Sequence, residues 1–460
     1  MLLTPCRYSL GVVLAATLLA SPAGAESITE ALASAYWNNP TINSQRAEMR
    51  AVDENVPIAK AGNRPQVSAY GEIDGTHTGG YARSGGVGAD FNRNTSDLAV
   101  GVQVQQNLFN GFQTRNAVSG ATSNVYASRF ALESTVQDVL LDAAQAYMDV
   151  LRDEALLRLR RQNIDFLDEQ LRAAQDRFDV GENTRTDVAQ TRASLSLAQS
   201  NLSLAEANLV ASKAIYRQVV GHEAKNLQLT FPFRNKLPSS LQQALSLSLD
   251  RHPSIIAAQY AMDAAAYDAK RIEGELLPTV SVTGNLQKEI GVGRPDNSET
   301  AQIIGRVSIP IYQGGSVSAR VRQAKELLGQ RRIEVDVARE QVRASTVAAW
   351  GTLEATNASI LAATAQVAAS DIALQGVIEE QRVGQRTQLD VLDARSTLLD
   401  ANVNRVVSQR DRIVAAFSLL AAVGRLNADA LNLPVERYHA EAHYEAVKDK
   451  WFGLRTPDGR

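Results

Sequence analysis

The chain is written twice. Val180-Gly181-Glu182-Asn183-Thr184-Arg185-Thr186-Asp187-Val188 returns as Val383-Gly384-Gln385-Arg386-Thr387-Gln388-Leu389-Asp390-Val391, both of the form VGxxTxxDV. The same offset of 203 relates Phe109 to Tyr312, Gly111 to Gly314, Tyr147 to Trp350, Arg192 to Arg395 and Gly221 to Gly424. Upstream, Ala31-Leu32, Asn39-Pro40 and Pro65 match Ala244-Leu245, His252-Pro253 and Pro278 at an offset of 213. The change of offset falls between Pro65 and Phe109, in glycine-rich sequence. A long constant offset with one change of length inside a loop is the pattern of an internal duplication. Whatever this chain folds into is therefore built from two copies of one unit.

Within each copy the order is a short helix, a strand pair and two long helices. No proline occurs from Gln66 to Phe231 or from Ile311 to Leu433. In the first window Val136, Ala143, Val150, Leu157, Ile164, Leu171 and Phe178 recur every seven residues; Leu353, Ile360, Val367 and Leu374 do so in the second. A heptad of apolar residues predicts helices packed in coiled-coil fashion. The long helices are expected at 113–179 and 316–382, 67 residues each, or roughly 100 Å at 1.5 Å per residue. The returning helices, 185–220 and 388–423, cover about half that length, roughly 54 Å, and the helices at 41–61 and 254–274 that precede the strands about a third, roughly 32 Å. Two short helices end to end approach one long one, which describes the wall of a cylinder.

The strands are expected at 66–75, 97–107, 279–288 and 301–311, each about ten residues, the length of a tilted membrane-spanning strand. Val67, Ala69, Gly71 and Ile73 alternate with Ser68, Tyr70, Glu72 and Asp74, and Leu98, Val100, Val102 and Val104 with Ala99, Gly101, Gln103 and Gln105. Thr76 to Ser96 and Glu289 to Thr300 read as long polar loops. Alternation alone also fits a small soluble sheet with one wet face. Such a sheet needs a packing partner, and the adjacent helices are committed to a coiled coil. Four strands are too few to close a membrane barrel, for which about eight is the minimum. Three chains supply twelve strands and twelve helical columns, so a homotrimer is expected.

Composition excludes rather than assigns. Lys+Arg 47 against Asp+Glu 50 leaves no basic field for nucleic acid. A single cysteine, Cys6, rules out a disulfide framework or a multi-cysteine metal site. Residues 1–25 read as a signal peptide: Arg7, the apolar run Ser9 to Ala20, then Ala23-Gly24-Ala25 as a small-x-small cleavage site. The remaining divisions are a first repeat at 26–220, an equatorial linker at 221–252, a second repeat at 253–423, and a C-terminal equatorial segment with a polar tail at 424–460. No Ser/His/Asp arrangement or pocketed carboxylate pair points to an enzyme, and no cofactor is expected.

The duplicated VGxxTxxDV turns, the Asn39-Pro40 and His252-Pro253 helix starts, the prolines opening the strands, and Leu108-Phe109-Asn110-Gly111 with Ile311-Tyr312-Gln313-Gly314-Gly315 closing them resemble the TolC family of outer-membrane efflux and secretion channels. The resemblance covers essentially the whole mature chain. It implies a mainly α protomer, with a helix, β-hairpin and long α-hairpin in each repeat. Three such protomers would form a 12-stranded outer-membrane β-barrel joined to a 12-helix periplasmic α-barrel. It also implies a periplasmic adaptor and an inner-membrane transporter of the RND or ABC type as partners, outer-membrane lipid around the barrel, and a role in tripartite efflux or type I secretion. By the same resemblance Asp390 and Asp393 match carboxylates that line the periplasmic aperture, and Arg386 and Asp187 a restraint on the closed tips. Gln381 stands where the best-known member has a tyrosine.

Other readings of the same residues stay open at this level. Thr184 with Asp187 and Thr387 with Asp390 have the spacing of helix capping boxes, which would account for all four. Asp393 lies one turn deeper, on the same face as Asp390, and its counterpart in the first copy is Gln190. Gly181 and Gly384 are expected to let the chain reverse, at tips that meet the adaptor. His439 and His443 are one helical turn apart, too few ligands for a metal site. Gly79-Gly80 and Gly85-Gly86 lack the Lys-Ser/Thr of a phosphate loop and read as a flexible loop. The competing classes are a periplasmic coiled-coil scaffold or adhesin that forms no pore, and a metal-dependent enzyme built on the histidine pair.

Overall fold

The computed structural model describes residues 26–292 and 297–459; the expected signal peptide lies outside them. The first copy comprises α1 (Ile28–Asn38), α2 (Pro40–Asp53), α3 (Asn55–Lys60), β1 (Gln66–Ser84), β2 (Val87–Asn110), α4 (Gln113–Asp179) and α5 (Arg185–Val220). The second comprises α6 (Leu241–Arg251), α7 (Pro253–Glu273), β3 (Thr279–Gly291), β4 (Asn297–Ser308), α8 (Ser316–Arg382) and α9 (Gln388–Ala422). A final helix, α10 (Ala440–Val447), lies in the tail.

The two copies start their second helix by the same device. The Asn39 side chain accepts the Thr41 N–H at 2.8 Å and His252 Nδ1 accepts the Ser254 N–H at 3.3 Å, each with proline at the first helical position. Proline fits there because its missing N–H would have had no helical partner. In the first copy the expected single helix at 41–61 is instead broken into α2 and α3. Pro57 lacks the N–H that would bond to Asp53 and its ring crowds that carbonyl, so the break falls at Glu54. The second copy has no such proline and α7 is continuous.

The four strands form one antiparallel sheet in the order β1-β2-β3-β4. The register aligns the alternation across all of them. Val67, Val104, Gly284 and Ile303 lie in one row, and Ala69, Val102, Leu286 and Ala301 in another on the same face. Ser68, Gln103, Asn285 and Gln302 form the row between, on the opposite face. Tyr70, also on that face, has its hydroxyl 3.2 Å from Asn285 Oδ1 and 3.0 Å from Gln287 Oε1. One face is thus apolar and exposed, the other polar and cross-linked, while among the described residues the outer edges of β1 and β4 pair with no other strand.

Two loop expectations are corrected. Thr76 to Ser96 is not a loop. β1 and β2 remain paired from Thr76↔Thr95 to Ser84↔Val87 and turn on Gly85-Gly86, at φ +63° and +88°. Two consecutive positive φ angles define the tight turn whose twist matches paired strands. Tyr81 lies across the strand where a side chain at Gly88 would have to sit. Likewise β3 and β4 pair as far as Ile290↔Asn297, narrowing the expected loop at 289–300, and β4 spans 297–308 rather than 301–311.

In the half of the molecule next to the sheet, α4 packs on α3 and α7, and α7 on α8. In the half remote from the sheet, α4 packs on α5 and α9, and α9 on α8. The result is a wall of helices with α8 at one side and, at the other, α3 next to the sheet and α5 remote from it. The heptad residues Val136, Ala143, Val150 and Leu157 are buried, whereas Phe178, near the tip, is exposed. The principal core lies at mid-height, where Tyr147, Tyr216, Leu140 and Phe417 are fully enclosed with α1 and the segment after α9. Burying each such side chain contributes about 1.5–3 kcal/mol.

Candidate functional site: the hairpin tips

Each long hairpin turns at a VGxxTxxDV segment remote from the sheet. α4 and α8 end on glycines with φ +83° at Gly181 and +78° at Gly384. The Glu182 N–H bonds to the Arg177 carbonyl at 2.8 Å and the Gln385 N–H to the Glu380 carbonyl at 2.9 Å. These are the bonds that close a helix over a left-handed residue. A Cβ at either glycine would meet nothing within 4 Å, so the requirement there is backbone conformation alone.

The next helix starts at once in both hairpins. Asp187 Oδ2 accepts the Thr184 N–H at 2.9 Å and the Thr184 hydroxyl at 2.7 Å, and Thr184 Oγ1 accepts the Asp187 N–H at 3.2 Å. Asp390 and Thr387 repeat the box at 2.8, 2.9 and 3.2 Å. The Thr184 hydroxyl and then its N–H hold the Asp187 carboxyl below its ordinary pKa; for Asp390 the N–H of Thr387 leads and its hydroxyl follows. Hydrogen bonds donated to a carboxylate favour its charged form. Asp393 is exposed, one turn further into α9, and takes no part in the cap.

Among the described residues no ion pair joins Arg386 to Asp187 within the chain. Arg386 Nε instead donates to Glu380 Oε2 at 2.8 Å, which raises the guanidinium pKa, and Asp187 is held in its own cap. Gln381 donates to Gln388 Oε1 at 2.5 Å. Gln388 then donates through Nε2 to Gln170 Oε1 on α4 at 3.1 Å. Gln388 is 6% exposed, so its amide has left water and is satisfied within the protein. One heptad up α9, Arg395 Nε donates to Asn163 Oδ1 at 3.3 Å and its guanidinium lies 4.5 Å from the centre of the Phe166 ring. Higher still, Arg410 Nε donates to Asp149 at 2.8 Å.

These three contacts run antiparallel along α9 and α4 and tie the second repeat to the first. The first copy lacks them: Arg185 and Arg192, the counterparts of Gln388 and Arg395, are exposed. The reason is position, since α9 lies between α4 and α8 whereas α5 lies at the free side. Sequence reasoning missed Gln170, Gln388 and Arg395 because glutamines and arginines on a long helix are expected to face water, whereas here Gln388 is buried and Gln170 and Arg395 are half-buried. The difference between aligned residues of the two copies was the available signal. His443, singled out with His439, is engaged in the tail, where its Nδ1 lies 3.0 Å from Asp53 Oδ2; His439 precedes α10 as its N-cap residue.

The sheet with one apolar face, the long paired hairpins and the capped tips define a channel-type outer-membrane protein. The family described as outer membrane efflux protein matches residues 31–222 and 244–425, segments whose starts are 213 apart and whose ends are 203 apart. The chain belongs to that family and is an outer-membrane protein with a large periplasmic portion. It is 46% identical to the outer membrane efflux protein BepC of Brucella suis, over 98% of this chain and 96% of that one. It is 24% identical to the outer membrane protein TolC of Escherichia coli, over 88% and 83%. Its fold matches the outer membrane channel CmeC of Campylobacter jejuni with a TM-score of 0.76, at 16% identity over 92% and 89% of the two chains. The family is one of outer-membrane efflux proteins, as the channel expectation has it, and the alternative of a pore-free scaffold gives way.

Proposed function

We propose that three copies of this chain form a continuous conduit. β4 of one copy pairs with β1 of the next to close a 12-stranded barrel, and α8 packs beside the neighbouring α5 to close the helical wall below it. The observation that carries this reading is that the unpaired sheet edges and the free helices fall on the same two sides of the protomer. Those helices expose apolar side chains: Leu197 and Leu204 on α5, seven residues apart, and Leu361 and Ile372 on α8. α8 also contains a window apolar enough to cross a membrane by composition, 11% buried. In a 67-residue helix paired with α7 and α9, that surface is suited to a neighbouring helix.

The conduit passes solutes received from an inner-membrane transporter and a periplasmic adaptor, in a tripartite pump or a type I secretion system, and has no catalytic role. Gly181, Thr184, Gly384 and Thr387 shape the tips that the adaptor meets. Asp390 and Asp393, six carboxylates in a trimer, line the aperture. Arg386 reaches Asp187 of an adjacent copy when the tips are closed, and the Gln381-Gln388-Gln170 relay holds the two repeats of each copy together. The test is the oligomeric mass in mild detergent with conductance in planar bilayers. A conducting trimer is expected, and a monodisperse, well-folded monomer overturns the reading.

A further inference from the structure

The tail that reads as a polar appendage is strapped to the outside of the first repeat, and its contacts climb toward the sheet in chain order. The Tyr438 N–H bonds to the Tyr36 hydroxyl at 3.2 Å, and the Tyr438 ring joins those of Tyr36 and Trp37 around the Arg46 guanidinium, each centre 4.7–4.8 Å away. His443 meets the fully buried Asp53. Asp449 pairs with Lys60 at 2.6 Å, Arg64 Nη1 donates to the Lys450 carbonyl at 2.8 Å, and the Arg64 guanidinium lies 4.9 Å from the centre of the Trp451 ring.

The strap therefore ends beside Arg64, three residues before Val67, where the apolar rows of β1 begin. At about 3.3 Å per residue that is roughly 10 Å below the first apolar row at most, less with strand tilt. This is the depth of the headgroup layer of a bilayer whose hydrocarbon starts at that row. Just there the chain turns through Gly453 at φ +113°. The turn presents Trp451, Phe452 and Leu454, which are 65%, 89% and 104% exposed. Three large apolar residues in one exposed turn have no use in water. Beside cations at headgroup depth they match the composition of a membrane interface, where tryptophan is enriched and basic side chains meet lipid phosphates.

We propose that this C-terminal turn is an interfacial anchor. Trp451, Phe452 and Leu454 insert into the periplasmic leaflet of the outer membrane, and Arg64 and Arg455 face the phosphates of its phospholipids. The inference rests on the barrel reading of the sheet. It gives each protomer a second membrane contact, outside the barrel, that fixes the height of the helical wall relative to the bilayer.

The test uses the full-length protein with Trp37→Phe and Trp350→Phe, which leaves Trp451 as its only tryptophan. It is reconstituted in vesicles of phosphatidylethanolamine and phosphatidylglycerol carrying bromine either near the headgroup or near the chain ends. A companion protein carries Trp451→Phe as well and Ile303→Trp on the apolar face of β4. Trp451 emission should be lost most strongly to bromine near the headgroup and should resist aqueous iodide. If the companion is quenched by bromine while Trp451 is quenched only by iodide, the turn lies in water and the anchor is wrong. Trp451 silent to both quenchers means that a neighbouring copy covers it, which also overturns the anchor. If neither protein responds to bromine, the sheet is not in the bilayer and the channel reading itself fails.

Discussion

Gln388 on α9 donates to Gln170 on α4 at 3.1 Å, so the start of the last long helix is tied to the first repeat by a neutral side-chain bond, not an ion pair. A buried neutral hydrogen bond contributes about 0.5–1.5 kcal/mol. Gln170→Ala should therefore raise the open fraction of the closed tunnel about fivefold if the bond holds the tips together. Gln388→Ala in the same background should add only what its second bond, accepted from Gln381, contributes, because both substitutions remove the Gln388–Gln170 bond. Single-channel recording of the four proteins measures this. Fully additive effects would assign the two glutamines separate roles.

Arg386 and Asp187 are predicted to meet between copies. Arg386→Asp alone should increase leak conductance, and Asp187→Arg in the same chain should restore closure. Both side chains have local partners in the protomer, Glu380 and Thr184, so each single variant also loses a local bond. Only recovery in the swapped protein supports contact between copies.

Asp390 and Asp393 should set ion preference rather than closure. Asp390→Ala with Asp393→Ala is expected to shift the reversal potential in a salt gradient toward neutrality, with little change in leak. The pH dependence follows from the cap. The Asp390 carboxyl titrates below its ordinary value of 3.8 when folded. The stabilising contribution of its charged form is thus complete above 3.8 and is lost as pH falls through the lowered folded value. Cation preference in an Asp393→Asn protein should accordingly persist below pH 3.8. Selectivity unchanged in the double alanine protein would remove both residues from the aperture.

Gly384→Val should reduce export more than trimer abundance. A left-handed backbone costs a non-glycine residue about 1–2 kcal/mol, and nothing packs against the site. The loss should therefore stay local to the tip. Quantitative blotting beside efflux of a fluorescent substrate separates the outcomes, and equal losses would make the turn purely structural.

His443→Ala should free the tail. Asp53 is fully buried, its pKa is raised by that burial, and among the described residues its Oδ1 has no hydrogen-bond partner. Removing the imidazole leaves the other oxygen unsatisfied too, at about 1–3 kcal/mol. Limited proteolysis should then cut after the core segment ending at Leu433 while the remaining chain stays trimeric. A tail that resists cleavage would show that the Arg46 aromatic cage suffices.

The long helices were legible in the sequence nearly to the residue. α4, α5 and α8 end where the heptads, glycines and capping boxes place them, because those signals are local and occur twice. The strand faces were legible for the same reason, and the register then aligned them. The upper hairpin was not. Glycines at 79, 80, 85, 86 and 88 lower β propensity, and they hid the Gly85-Gly86 turn, which needs no β propensity to bring two strands back together. The break at Glu54 was written in Pro57. The ties made by Gln388 and Arg395 depend on which helix lies between which others, and no single stretch of sequence carries that. α10 was missed because the contact that holds it, His443 to Asp53, is made to a residue far upstream.

If three copies close the sheet as proposed, the open edges of β1 and β4 have a genetic consequence. A protomer that can satisfy its backbone only through its neighbours cannot be inherited as an independent unit of function. A chain with an intact β1 but a spoiled β4 would still join a ring and leave it unclosed. In a cell making equal amounts of sound and spoiled chain, random assembly into threes leaves about one ring in eight wholly sound. Such alleles should therefore behave as dominant, whereas alleles that prevent the chain from folding should be recessive.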